Sequence, residues 1–280
     1  MKPAIAPSLA GLSFVARLSF VAMLAATSLP AQAASLDAKY QVSLLGLTLG
    51  TANLSGGVDS SGYKLDIVAK LTGLVGGFTG GRGSGAATGN MSAGKPMAAT
   101  FAISSASSSE SRTVRMALGG GNVQAIEIVP PIDFKPDRVP LADSHKRNIL
   151  DPLSAFLMPV DGKGGSASAC NRTLPIFDGA ARYDIKMSYA GSRDVKLEGY
   201  GGPVAVCQVR YVPIAGHRAL RPSTKFMAEN KDISVWLAPV AGTNVMVPVR
   251  ISVKTMIGTA VVEASSFRVD PGVTASTAGN

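Results

Sequence analysis

From residue 34 onward the chain alternates apolar and polar positions in one segment after another. Tyr40, Val42 and Leu44 bracket Gln41 and Ser43, and Tyr63, Leu65, Ile67 and Ala69 follow the same rule. A period of two places one set of side chains on one face of an extended strand. The clearest run is Val245, Val247, Val249, Ile251 and Val253, and residues 112–118, 123–129, 204–211 and 233–237 read as further strands. Turn-forming residues at 59–62, 119–122, 199–202 and 241–244 separate them. This spacing predicts an all-β, mainly antiparallel fold, as a barrel, an open barrel or a sandwich. Pro248 sits inside the best strand and has no N–H for a ladder. It therefore predicts an edge or a bulge there, and a barrel that does not fully close. Val204, Val206, Val247, Val249 and Ile251 are the expected inward-facing residues.

One helix is predicted, near 151–158. Asp151 suits the N-cap, Pro152 suits the first helical position, residues 153–157 supply an apolar turn, and Pro159 stops it. Residues 130–148, rich in proline and mixed charge, read as a long surface loop. The expected organisation is a single β-rich domain over 34–270 and a small, polar, disordered tail over 271–280.

Residues 1–33 read as a secretory signal peptide. Lys2 and Arg17 precede a short apolar stretch, and Ala31-Gln32-Ala33 forms a small-residue cleavage site. Cleavage after Ala33 and a periplasmic location are the expectation. Export changes the reading of Cys170 and Cys207, the only two cysteines: in an oxidising compartment they are expected to form a disulfide. At 46% hydrophobic and 16% charged residues the chain cannot be intrinsically disordered. Past the leader, no apolar run reaches the roughly 18 residues that span a bilayer.

The chemistry-bearing residues are sparse. Residues 89–95 match the first seven positions of a phosphate-binding loop, but Pro96 stands where a Ser or Thr must hold magnesium. The glycines at 81, 83, 85 and 89 share one parity, which fits either a closely packed strand face or a mobile loop. Neither His145 nor His217 lies in a nucleophile motif, and with two cysteines they match no zinc spacing. The sequence thus nominates no catalytic residue, no cofactor and no metal site. His217, Arg218, Arg221 and Lys225 cluster and form a candidate patch for an anionic partner, against the plainer reading of a solvated loop. Nucleic acid is not an expected partner, because the cations lack interleaved aromatics.

A set of short motifs recurs in a fixed order: residues 40–50 (YQVSLLGLTLG), 72–74 (TGL), 150–155 (LDPLSA), Cys170 followed by 174–179 (LPIFDG), 182–184 (RYD), 207–216 (CQVRYVPIAG), 235–237 (VWL) and 248–250 (PVR). Together they resemble the exported proteobacterial family called domain of unknown function 3108. The glycine-rich stretch 76–94 departs from that pattern. The resemblance implies an envelope protein with an open-barrel shape, and it carries over no catalytic residues. The function expected is binding of an envelope lipid, lipoprotein or cell-wall component in or on the barrel. The alternatives are a structural protein working through a surface, or a hydrolase or transferase acting on envelope polymers.

Overall fold

The computed structural model describes residues 33–72, 80–161 and 166–271. Residues 1–32, most of the expected leader, lie outside it, as do most of the expected tail and part of the glycine-rich stretch. The described chain forms strands β1 (Ala34–Leu44), β2 (Leu47–Val58), β3 (Gly62–Leu71), β4 (Arg82–Ser92), β5 (Lys95–Ala106), β6 (Ser111–Gly119) and β7 (Asn122–Val129). After an irregular stretch come β8 (Met158–Pro159), helix α1 (Ala167–Cys170), β9 (Arg172–Phe177), β10 (Arg182–Leu197) and β11 (Tyr200–Ala215). Helix α2 (Pro222–Glu229) and strands β12 (Ile233–Val240), β13 (Val245–Thr255) and β14 (Gly258–Asp270) complete it.

The strands make one 14-stranded antiparallel sheet ordered β7-β6-β5-β4-β3-β2-β1-β14-β13-β12-β11-β10-β9, with β8 paired to β13. β8 aside, neighbours in the sheet are neighbours in sequence except at one place, where the first strand meets the last: Ser35 opposes Asp270 and Leu44 opposes Ala260. The sheet does not close, because β7 and β9 are its two edges. The segment between them bridges the opening. Ile149 N–H donates to Gly121 O at 2.8 Å, Leu150 N–H to Pro175 O at 2.8 Å, and Phe177 N–H to Leu150 O at 3.0 Å. The expected surface loop ends in a strap, Ile149 and Leu150, that reaches from the β6–β7 turn to the β9 edge. Its earlier part pairs elsewhere: Val139 N–H donates to His217 O at 2.9 Å and Gly216 N–H to Val139 O at 2.8 Å.

Two apolar clusters lie on opposite faces. Alternation puts Val204 into the first, with Leu54, Leu65, Phe101 and Phe267, while its neighbour Ala205 belongs to the second, with Cys207, Val235 and Leu237. Burying each such large side chain contributes about 1.5–3 kcal/mol. Pro248 explains how β13 serves both. Only Val245 and Met246 pair with β8, and only Arg250 to Thr255 pair with β14, so Pro248 sits where no partner needs its N–H. Trp236 opposes Arg250 and Leu237 opposes Pro248, leaving Val249 as the extra residue of a bulge. The bulge reverses the parity. Val247 and Val249 join the first cluster, whereas Ile251 packs on the second. The expectation that Ile251 shares a face with Val247 is thus corrected, and Val206 is only half-buried and belongs to neither cluster.

The expected helix near 151–158 is shorter than an α-helix: a single 3-10 turn over Ser154–Phe156. Asp151 does cap it, accepting the N–H groups of Leu153 and Ser154 at 2.9 Å each. Pro159, rather than merely stopping a helix, lies in β8. The turn is tied into the sheet by a buried chain in which Tyr63 Oη donates to Ser154 Oγ at 2.6 Å and Ser154 Oγ donates to Asp151. Asp151 and Ser154 are fully buried. Residues 89–95 are not a phosphate loop but the end of β4, its turn and the start of β5, with Ala93 and Gly94 at φ +49° and +74°. Gly89 is required where it stands, because a Cβ there would lie 2.4 Å from Met97 O and 2.5 Å from Tyr63 Oη.

Two outcomes follow. Gly89→Val displaces the Tyr63 ring and lowers unfolding free energy by about 2–3 kcal/mol, whereas Gly201→Ala, with nothing within 4 Å of its Cβ, changes it by less than about 0.5 kcal/mol; urea titration reads both. Burial raises the Asp151 carboxyl above its ordinary 3.8, so the folded chain keeps that proton to higher pH than the unfolded chain. The stability this group contributes is complete below 3.8 and is lost as pH rises through the folded value. Asp151→Asn lacks that loss, so its stability deficit against the native chain shrinks as pH rises above 3.8.

Candidate functional site

The second cluster is not filled. A cleft of about 260 Å³ lies between the face of β9 to β13 and the elements that cover it. Ile176, Ile185, Val209 and Val235 contribute to its floor, and the β13 bulge adds Ile251 and Val253. Phe156 from the 3-10 turn, Met158 from β8 and Met227 from α2 form the other wall. The polar side chains lining it are Tyr183, Tyr211 and Ser234.

The cover is fastened at several points. Cys170 on α1 is disulfide-bonded to Cys207 on β11, with Cα atoms 5.3 Å apart and both residues fully buried. This is the pairing expected from the two cysteines. Arg172 donates to Ser168 O at 2.6 Å and to Pro159 O, tying α1 to β8. Burial lowers the Arg172 pKa, and Asp161 opposes that shift.

One end of the cleft is polar. The Tyr183 and Tyr211 rings lie 5.3 Å apart, inclined at 42°. Burial, reinforced by the Asp178 carboxylate, raises both phenols, so both remain hydrogen-bond donors at neutral pH. Burial likewise raises Asp178, although Ala180 and Ala181 donate to it at 2.8 and 2.7 Å and Arg138 opposes the shift. The arrangement is an apolar trough with neutral donors at one end.

The basic residues nominated from sequence lie close together in the chain but in different settings. Arg218 Nε pairs with Asp137 Oδ1 at 2.9 Å, and that bond holds the Asp137 carboxyl below its ordinary range. His217 is half-buried, and its Nδ1 is buried without a hydrogen-bond partner among the described residues. Arg221 and Lys225 are exposed at the start of α2, a helix that sequence reading treated as loop. Pro222 at its first position was the available signal. The cleft itself was not foreseen. Its floor alternates as strands should, but nothing in a single strand shows that both faces are apolar until β9 to β13 are set side by side.

Residues 39–265 match the family described as "Protein of unknown function (DUF3108)". The chain belongs to the DUF3108 family. Among solved structures it is similar to a β-barrel-like protein of the DUF1849 domain from Brucella abortus, at 10% identity and a TM-score of 0.48, over 85% of this chain and 99% of that one. No match was found among curated proteins. In this DUF3108 chain the motif 207–216 runs along β11 through the cleft, and 174–179 runs along β9 at the sheet edge. Six of the ordered motifs, 150–155, 174–179, 182–184, 207–216, 235–237 and 248–250, supply cleft residues.

The disulfide closes a 37-residue separation, for which chain entropy gives about 3–4 kcal/mol. Cys170→Ala combined with Cys207→Ala lowers the unfolding free energy by about that amount. Non-reducing peptide mapping of the native chain links the two cysteines.

Proposed function

We propose that this protein is a non-catalytic binding module of the cell envelope. It resides in the periplasm and holds one acyl chain of a lipid or lipoprotein in the cleft. The observation that carries this reading is the lining: a trough of Ile, Val, Met and Phe side chains whose polar groups are two phenols at one end and Ser234. About 260 Å³ is below the roughly 300–1,000 Å³ of sites that enclose a whole drug-sized ligand. It suits one chain better than an entire lipid. The phenols of Tyr183 and Tyr211 then donate to an ester or amide carbonyl where the chain meets its headgroup.

Export is supported by two further features. The disulfide is of the kind that persists in oxidising compartments. The first strand begins at Ala34, already buried, directly after the expected cleavage site. N-terminal sequencing of protein from its native cells is expected to begin at Ala34.

Solvent extraction and mass spectrometry of that same preparation is expected to yield a reproducible acyl-bearing molecule near one per chain. Ile185→Trp fills the cleft from its half-buried wall and removes that molecule while leaving thermal unfolding close to native. A native preparation that yields no stoichiometric lipid overturns the reading.

A further inference from the structure

Antiparallel order sorts the loops into two ends. The turns after β1, β9 and β13, the segment following β7, and the segment carrying α2 lie at one end. The hairpin loops 59–61, 93–94, 120–121, 198–199 and 241–244 lie at the other, and consist only of Gly, Ala, Ser, Thr, Asn, Asp and Glu. The first end is different. Leu45 and Leu47 are 67% and 70% exposed at the β1–β2 turn, and Met256 and Ile257 are 58% and 72% exposed at the β13–β14 turn. These two tips touch. Leu45 N–H donates to Thr259 O at 3.1 Å, and the Leu45 side chain covers the Cα of Gly258 so closely that no Cβ fits there. Phe134 and Leu220, 87% and 69% exposed, lie on two segments that meet where Ala219 N–H donates to Asp137 O at 2.8 Å.

Exposed cations surround these points. Lys70, Arg82, Arg112, Arg221, Lys225 and Lys231 all lie toward the same end. Single exposed apolar residues are ordinary on any surface, but large ones gathered on adjoining loop tips within a basic ring are not. Exposed Glu110, Asp133, Glu229 and Asp232 lie at this end too, but the cations outnumber them, so a face-to-face second copy would meet a net like charge. An anionic bilayer satisfies both features: headgroups meet the cations, and the tips reach the acyl boundary.

We propose that this end of the sheet is a membrane-docking surface. Leu45, Leu47, Met256 and Ile257 insert shallowly, and Arg221, Lys225 and Lys231 engage anionic headgroups. The tip residues line no part of the cleft, so docking and ligand binding are separable. The test is flotation of protein purified from its native cells with phosphatidylethanolamine/phosphatidylglycerol vesicles, and with phosphatidylcholine vesicles alone. Native protein floats with the anionic vesicles, and less so as salt rises. Replacing the four tip residues by Ser reduces the floated fraction about tenfold or more, while the co-purified acyl molecule stays bound. Arg221→Glu with Lys225→Glu and Lys231→Glu lowers partition to anionic vesicles by roughly fivefold per cation and leaves phosphatidylcholine unaffected. All seven positions are exposed, so the variants fold; circular dichroism confirms it. Native protein that stays at the bottom of the gradient overturns the proposal. So does a tip variant that floats like native, or one whose only loss is a concentration-dependent dimer.

Discussion

The architecture depends on one strand that serves two ladders. β13 begins beside β8 and ends beside β14, and the change of partner falls at Pro248. A residue with an N–H at that point would leave a donor without a strand to receive it. The bulge beside it reverses the strand's parity, so that Val247 and Val249 face one cluster and Ile251 and Val253 face the other. Tyr40 locks the junction from the far end of the sequence, its hydroxyl donating to Pro248 O at 2.7 Å across 208 residues. The fork adds Ile251 and Val253 to a second apolar face that β9 to β12 already carry.

The cover then sets the character of the cleft. Its walls are short elements with little cohesion of their own, the 3-10 turn, the two-residue β8 and α2, with the four-residue α1 packed beside them. Each is held by something stronger than its own hydrogen bonds. The turn is held by the Tyr63–Ser154–Asp151 chain, β8 by Arg172, α1 by the disulfide, and α2 by Arg210, which donates to Ala228 O at 3.3 Å. Trp236, on the other face, is flanked by the guanidinium groups of Arg193 and Arg250 at 5.7 and 5.0 Å. A cation above an aromatic ring adds attraction that burial alone does not. Rigidity is therefore concentrated around an apolar trough that remains open.

Much of the sheet was legible in the sequence because period-two alternation is local. Tyr40, Val42, Tyr63, Leu65 and the valines of β13 reveal strands without reference to any partner. Pro248 was also legible, since a missing N–H constrains the ladder wherever the strand goes. What stayed hidden depends on pairing. The stretch 82–92 looked equally like a mobile loop, because its glycines gain meaning only when Tyr63 lies across Gly89. The parity change in β13 cannot be seen without Trp236 and Leu237 opposite it. Asp151 signalled a cap correctly, but not that the capped element would be one 3-10 turn. The basic run at 217–225 gave no sign that Asp137, about 80 residues earlier, would neutralise Arg218. The cleft is the extreme case, since its lining is drawn from five strands and three covering segments.

The pairing of β1 with β14 carries a consequence for how the chain comes into being. A chain made from its N-terminus completes β1 to β7 long before β14 exists. During that interval the edge of β1 that β14 will cover presents bare N–H and C=O groups along Ala34–Leu44. Such an edge can recruit any other extended segment. Contacts spanning most of the chain also form slowly. The protein thus passes through a stage with one half-sheet built and its seam unsealed, and only the last strand to be synthesised removes that hazard.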